Sequence, residues 1–187
     1  MTDLALGVRR ATWGVRVLAV VLGAVLVAIA AQVAVPLPGT PVPMTLQPMA
    51  VLLVGGLLGP ELGAISMVLY LAMGAAGLPV FTPTVPLPGI TRLFGPTGGY
   101  LLAYPVAAWA VAAVAREGSS VWRVACGVLA GLVLIHLGGL AQLAILTGSI
   151  SGAARLATWP FLLGDLLKLV ILVPVLAKLT PTIRARL

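Results

Sequence analysis

Apolar residues in this chain run in long unbroken blocks, and the polar residues are gathered in the gaps between them. Six blocks stand out, at 15–35, 48–58, 62–77, 98–115, 121–146 and 160–179. A strand facing lipid on one side alternates apolar and polar positions, whereas these blocks are continuous, so they predict helices rather than a barrel. A helix needs about 20 apolar residues to cross a bilayer. The second block has barely more than half of that, which predicts a tilted helix or one that begins in the preceding loop. No repeat, low-complexity tract or linker interrupts the pattern, so residues 1–187 read as one all-α transmembrane domain of six helices.

Composition excludes the main alternatives. Hydrophobic residues make up 61% of the chain and charged residues only 8%, against about 25% charged in a soluble domain. The net charge of +7 does not point to nucleic acid, because the basic residues are scattered at the ends of apolar blocks. That placement is the one expected of cytoplasmic flanks. Arg9, Arg10, Arg16, Arg116, Arg123, Lys178, Arg184 and Arg186 fall on one side of a six-helix arrangement, with Arg92 and Arg155 on the other. Both termini are therefore expected in the cytoplasm of a multi-pass protein of the cytoplasmic membrane, with lipid as its surroundings. The first block is longer than the about 7–15 residues of a signal-peptide core, so it is read as a retained helix. Cys126, the only cysteine, excludes an intrachain disulfide and is expected as a small buried apolar residue.

Against this background Asp165 and Lys168 are conspicuous. They lie in the apolar run Trp159-Pro160-Phe161-Leu162-Leu163-Gly164-Asp165-Leu166-Leu167-Lys168-Leu169, in a chain with four acidic residues. A charge at membrane depth costs at least about 2.5–3.5 kcal/mol and usually faces a cavity. Residues three apart share a helix face, so the pair offers acceptors and donors to one pocket. The competing reading is an ion pair that only holds helices together. Two outer loops add to the picture. The segment 36–48, between helices one and two, carries five prolines and no charge, and 78–100 is long, apolar and proline-rich. Proline stiffens such segments, and long loops of this kind are usually functional, so they are expected to form a lid over a cavity, the alternative being inert plugs packed on the bundle.

The residues Pro41-Val42-Pro43-Met44-Thr45-Leu46-Gln47, Gly77-Leu78-Pro79-Val80-Phe81, Gly95-Pro96-Thr97-Gly98-Gly99-Tyr100 and Pro160-Phe161-Leu162-Leu163-Gly164-Asp165-Leu166-Leu167-Lys168 occur in this order across the chain. In these features the chain resembles the BioY family, the biotin-specific S components of energy-coupling-factor (ECF) transporters. The resemblance implies a six-helix S-component fold, a pocket opening outward under the first outer loop, biotin as the transported ligand, and as partners a transmembrane T component with a pair of ATPases. The chain has no Gly-x-x-x-x-Gly-Lys-Ser/Thr loop, so energy from ATP would come from such partners. No cofactor is implied. A homo-oligomer, and transport without the ATPase module, both remain open.

The candidate contacts follow. Asp165 suits the two N–H donors of biotin's ureido ring and Lys168 suits its carbonyl. Arg92 can bind the valerate carboxylate bidentately; the residues alone leave this equal to a solvated loop charge, and the resemblance favours the carboxylate. Gln47 and Thr45 can complement the ureido group or serve only local turn bonds, with Thr40 a weaker candidate. Tyr100 can pack on the thiophane ring or sit in an interfacial belt, as can Phe81, Phe94, Tyr104 and Trp159. His136 and Gln142 are read as structural, since one histidine makes a poor metal site. Ala24 and Ala28, four apart, offer a close-approach face, which in S components docks the T component and in any bundle serves internal packing.

The sequence thus favours a biotin-capturing membrane transporter that does no chemistry on its cargo. Rival readings are a transporter of another vitamin-like solute, a structural membrane subunit, and an intramembrane enzyme using Asp165 as base, for which no paired nucleophile is present.

Overall fold

A computed structural model describes residues 12–116 and 120–187. Arg9 and Arg10 lie outside them. Each of the six apolar blocks forms a helix: α1 Trp13–Gln32, α2 Gln47–Leu58, α3 Pro60–Ala75, α4 Gly98–Ala115, α5 Val121–Thr147 and, after the short helix α6 Ile150–Ala157, α7 Leu162–Arg184. Among the described residues four stretches are long and apolar enough to cross a membrane, at 13–32, 98–115, 121–147 and 150–184, while α2 and α3 are shorter apolar helices.

Differences from the sequence expectation have local causes. The first helix stops at Gln32 rather than continuing to 35, because Ala34–Val35 (β1) pairs antiparallel with Met44–Thr45 (β2). That ladder ties the two ends of the proline-rich loop together. Helices α2 and α3 are separated at Gly59, whose φ of 90° and ψ of 173° are open to glycine and strained for other residues. Helix α6 was not foreseen. It starts after the left-handed Gly148, with the Ser149 hydroxyl accepting from the Gly152 amide as its cap.

The helices meet through small residues. A side chain on Gly99 of α4 would collide with the Gly138 carbonyl of α5, and one on Gly138 would collide with the Gly99 carbonyl. The two backbones are therefore in direct contact, and Tyr100 packs its ring on Gly139 just beside them. The buried interior holds Leu52, Met67, Tyr70, Tyr104, Val111, Val128 and Leu172. The outer surface is equally apolar: Leu18, Leu22 and Ile29 on α1, Trp122 and Ile145 on α5, and Leu163, Leu166, Leu167 and Val170 on α7 are all exposed, as is Cys126 of α5, whose expected burial is corrected by its place on the outward face of that helix. Apolar residues on both sides of a helix match a bilayer surround rather than water.

Of the two roles open to the small-residue face of α1, internal packing is the one visible here. Ala24 is fully buried, Ala28 is half-buried against the core, and Gly23 sits against Ser66 of α3 and Val54 of α2. Small residues let α1 pack closely on α2 and α3.

Candidate functional site

A narrow central cavity, with about 40 Å³ of free space, lies between α2, α4, α5, α7 and the two outer loops. Its walls carry all six of the binding residues expected from sequence: Thr45, Gln47, Arg92, Tyr100, Asp165 and Lys168. Apolar surface comes from Val42, Phe81, Leu132, Ile135 and Phe161.

Asp165 and Lys168 share the inward face of α7, opposite the exposed Leu163, Leu166, Leu167 and Val170. Both are buried, and Lys168 Nζ donates to Asp165 Oδ1 at 2.8 Å. The second carboxylate oxygen, Oδ2, lies 2.5 Å from His136 Nε2 on α5. His136 thus hydrogen-bonds a neighbouring helix, as a structural residue would, and also lines the cavity. The other ring nitrogen, Nδ1, is 3.2 Å from the Ala157 carbonyl at the end of α6, and Tyr100 Oη donates to the same carbonyl at 2.6 Å. One carbonyl thus fixes a residue from α4 and another from α5. Tyr100 and Phe161 flank the imidazole, each with ring centroids 6.3 Å from it.

On another wall Arg92 is only 5% exposed, in a 3-10 turn Gly89–Phe94. It is not a solvated charge. Nε donates to Leu87 O at 2.8 Å, and Nη2 donates to Thr82 O at 2.9 Å and Val85 O at 2.5 Å. Its guanidinium carbon lies 5.9 Å from the Phe81 ring centroid, within cation–π reach. Burial lowers its pKa from the usual arginine value, and the neighbouring Tyr70 opposes that shift. Two buried polar atoms, Arg92 Nη1 and Thr97 Oγ1, have no hydrogen-bond partner among the described residues, and both residues line the cavity. Buried polar groups are almost always satisfied, so two unsatisfied donors at one cavity suit a ligand with an acceptor. Thr97 was missed in the sequence, where it reads as part of a turn.

The remaining candidates separate clearly. Thr45 Oγ1 donates to Gln47 Oε1 at 3.2 Å, and Gln47 Nε2 donates to Tyr70 Oη at 2.5 Å, which in turn donates to Val80 O at 3.2 Å. Both line the cavity, yet they are already engaged with one another and with α3. Thr40 is not at the cavity; its hydroxyl donates to Leu156 O of α6 at 2.8 Å and ties the first loop to that helix. Gln142 donates to Leu93 O at 3.4 Å and Gly95 O at 3.3 Å, holding the second loop on α5. Phe81 and Tyr104 line the cavity, whereas Phe94 and Trp159 are exposed. Among the described residues no group of three His, Cys, Asp or Glu could hold a metal ion.

Comparison with known proteins fits this geometry. The solved crystal structure of the S-component for biotin from an ECF-type ABC transporter superposes with a TM-score of 0.78 at 24% identity, covering 89% of this chain and 90% of that one, so the folds are alike. The probable biotin transporter BioY of Pyrococcus horikoshii is 38% identical over 143 residues, 76% of this chain and 82% of the relative. The biotin transporter BioY of Thermotoga maritima is 37% identical over 147 residues, 78% of this chain and 84% of the relative. The sequence profile of the BioY family matches residues 5–185, and the chain belongs to the BioY family.

Proposed function

We propose that this protein takes up biotin across the cytoplasmic membrane as the substrate-binding S component of an ECF-type transporter. The observation that carries the reading is one cavity holding a buried carboxylate–ammonium pair on α7 and, on another wall, a buried cation with an unsatisfied Nη1. Biotin combines a ureido ring, an apolar bicycle and a carboxylate. Asp165 accepts from the ureido N–H groups and Lys168 donates to its carbonyl. Tyr100, Phe161, Leu132 and Ile135 surround the bicycle. Arg92 Nη1, with Thr97 Oγ1 from five residues further along, receives the carboxylate; Thr45 and Gln47 complete the wall. No bond in the cargo is made or broken, so the protein is a carrier and not an enzyme.

All six apolar helices cross the bilayer in this reading, the short α2 and α3 with the help of the flanking loops, and both termini lie in the cytoplasm. The Lys and Arg distribution supports that orientation: Arg116, Arg123, Lys178, Arg184 and Arg186 fall at one end of the bundle. The loop 36–43, closed by the β1–β2 ladder and tied by Thr40 to α6, acts as the lid. Energy comes from a T component and a pair of ATPases, since the chain carries no phosphate-binding loop of its own.

Titration of the purified protein with biotin, thiamine and riboflavin tests the reading. Biotin alone is expected to bind tighter than about micromolar, about −8 kcal/mol. Biotin binding weaker than that, or tighter binding of another vitamin, overturns it.

A further inference from the structure

We infer that His136 is a positioning residue for the cargo site: a doubly protonated imidazole that holds the Asp165 carboxylate with its free lone pairs toward the cavity. The inference rests on the reading of the cavity as the biotin site.

The geometry leaves few proton arrangements. The Ala157 carbonyl can only accept, so His136 Nδ1 at 3.2 Å must carry a hydrogen. At the other nitrogen, Nε2 and Asp165 Oδ2 are 2.5 Å apart. A neutral ring with its hydrogen on Nδ1 would set a nitrogen lone pair against a carboxylate lone pair, which repel. A proton therefore lies between them. Lys168 Nζ, donating to Oδ1 at 2.8 Å, favours the ionised carboxylate and places that proton on the ring.

The other groups around the pair do not compete for this proton. Tyr100 of α4 faces the ring edge and spends its hydroxyl on Ala157 O. Helix α2 brings no titratable side chain, and Arg155 of α6 is exposed. Arg92 lines the same cavity from the second loop. Asp165 then has a donor on each oxygen from the protein and one further lone pair on each for a ligand. Removing the ring donor would leave Oδ2 without its protein partner and the carboxylate less firmly aimed, so cargo affinity depends on this hydrogen bond.

Three measurements test this. His136 is the only histidine in the chain, so 15N-labelled histidine gives an unambiguous imidazole spectrum of the ligand-free protein at neutral pH, in which both ring nitrogens should carry a proton. His136→Gln keeps an amide donor toward Asp165 and should bind biotin within about three-fold of wild type. His136→Phe keeps the ring volume without donors and should bind at least about ten-fold weaker. A neutral ring, wild-type affinity in His136→Phe, or a His136→Gln protein that binds no better than His136→Phe would each overturn the inference. If His136→Phe does not fold, the spectrum and His136→Gln decide. A wild-type protein that ignores biotin defeats the biotin reading instead, and the imidazole spectrum still decides the charge state.

Discussion

Replacing Lys168 by Met separates a binding role of the α7 pair from a purely structural one. Methionine keeps the length and apolar stem of lysine and deletes the ammonium. Asp165 would lose the 2.8 Å donor on Oδ1 but keep His136 on Oδ2. The carboxylate is thus not orphaned, and the loss of stability should be less than the about 3–5 kcal/mol seen when a buried pair is broken outright. Asp165→Asn is the harsher change, because it leaves two cations facing each other without an anion. For the ligand the balance is different. One hydrogen bond involving a charged group contributes about 1.5–3 kcal/mol, and about 1.4 kcal/mol is a factor of ten. Lys168→Met should therefore weaken biotin binding by about ten- to a hundred-fold while the melting temperature in detergent changes modestly. Paired titration calorimetry and thermal unfolding supply both numbers. Unchanged affinity with a large drop in melting temperature would refute the reasoning, and so would an Asp165→Asn protein more stable than Lys168→Met.

Other substitutions probe separate parts of the argument. Thr97→Val removes a buried hydroxyl that has no partner among the described residues; thermal stability should hold or rise while biotin binds about three- to ten-fold weaker by titration. Arg92→Lys cannot bond Leu87 O, Thr82 O and Val85 O together, so amide hydrogen exchange across 82–92 should speed up and affinity should drop at least about ten-fold. Gly99→Ala drives a methyl into the Gly138 carbonyl; overpacking of this kind costs about 1–3 kcal/mol, which would appear as a lower melting temperature.

The sequence carried the parts of the site that are local. Asp165 and Lys168 were legible because both lie in one apolar run at helical spacing, and the apolar blocks marked six of the seven helices among the described residues. What it could not carry depends on contacts between distant segments. His136 meets Asp165 across 29 positions and two helices, and its only local sign was a polar residue in the middle of an apolar run. The hold of Arg92 on its loop uses backbone carbonyls, which leave no trace in side-chain pattern. Helix α6 is eight residues long and flanked by Gly148 and Ser149, so its composition reads as a turn. The Ala24–Ala28 face marks a close approach to α1 without naming the neighbour, and the fold places Ala24 against the bundle interior.

Arg92 has a consequence for any attempt to retarget the protein. The guanidinium that supplies a free donor to the cavity is also the strut that folds residues 82–87 onto the bundle. An uncharged cargo would make its positive charge a liability, yet trimming it away would slacken the roof over the chamber. Selectivity and architecture are soldered to a single side chain, so a redesign for neutral solutes must first furnish that loop with a different anchor.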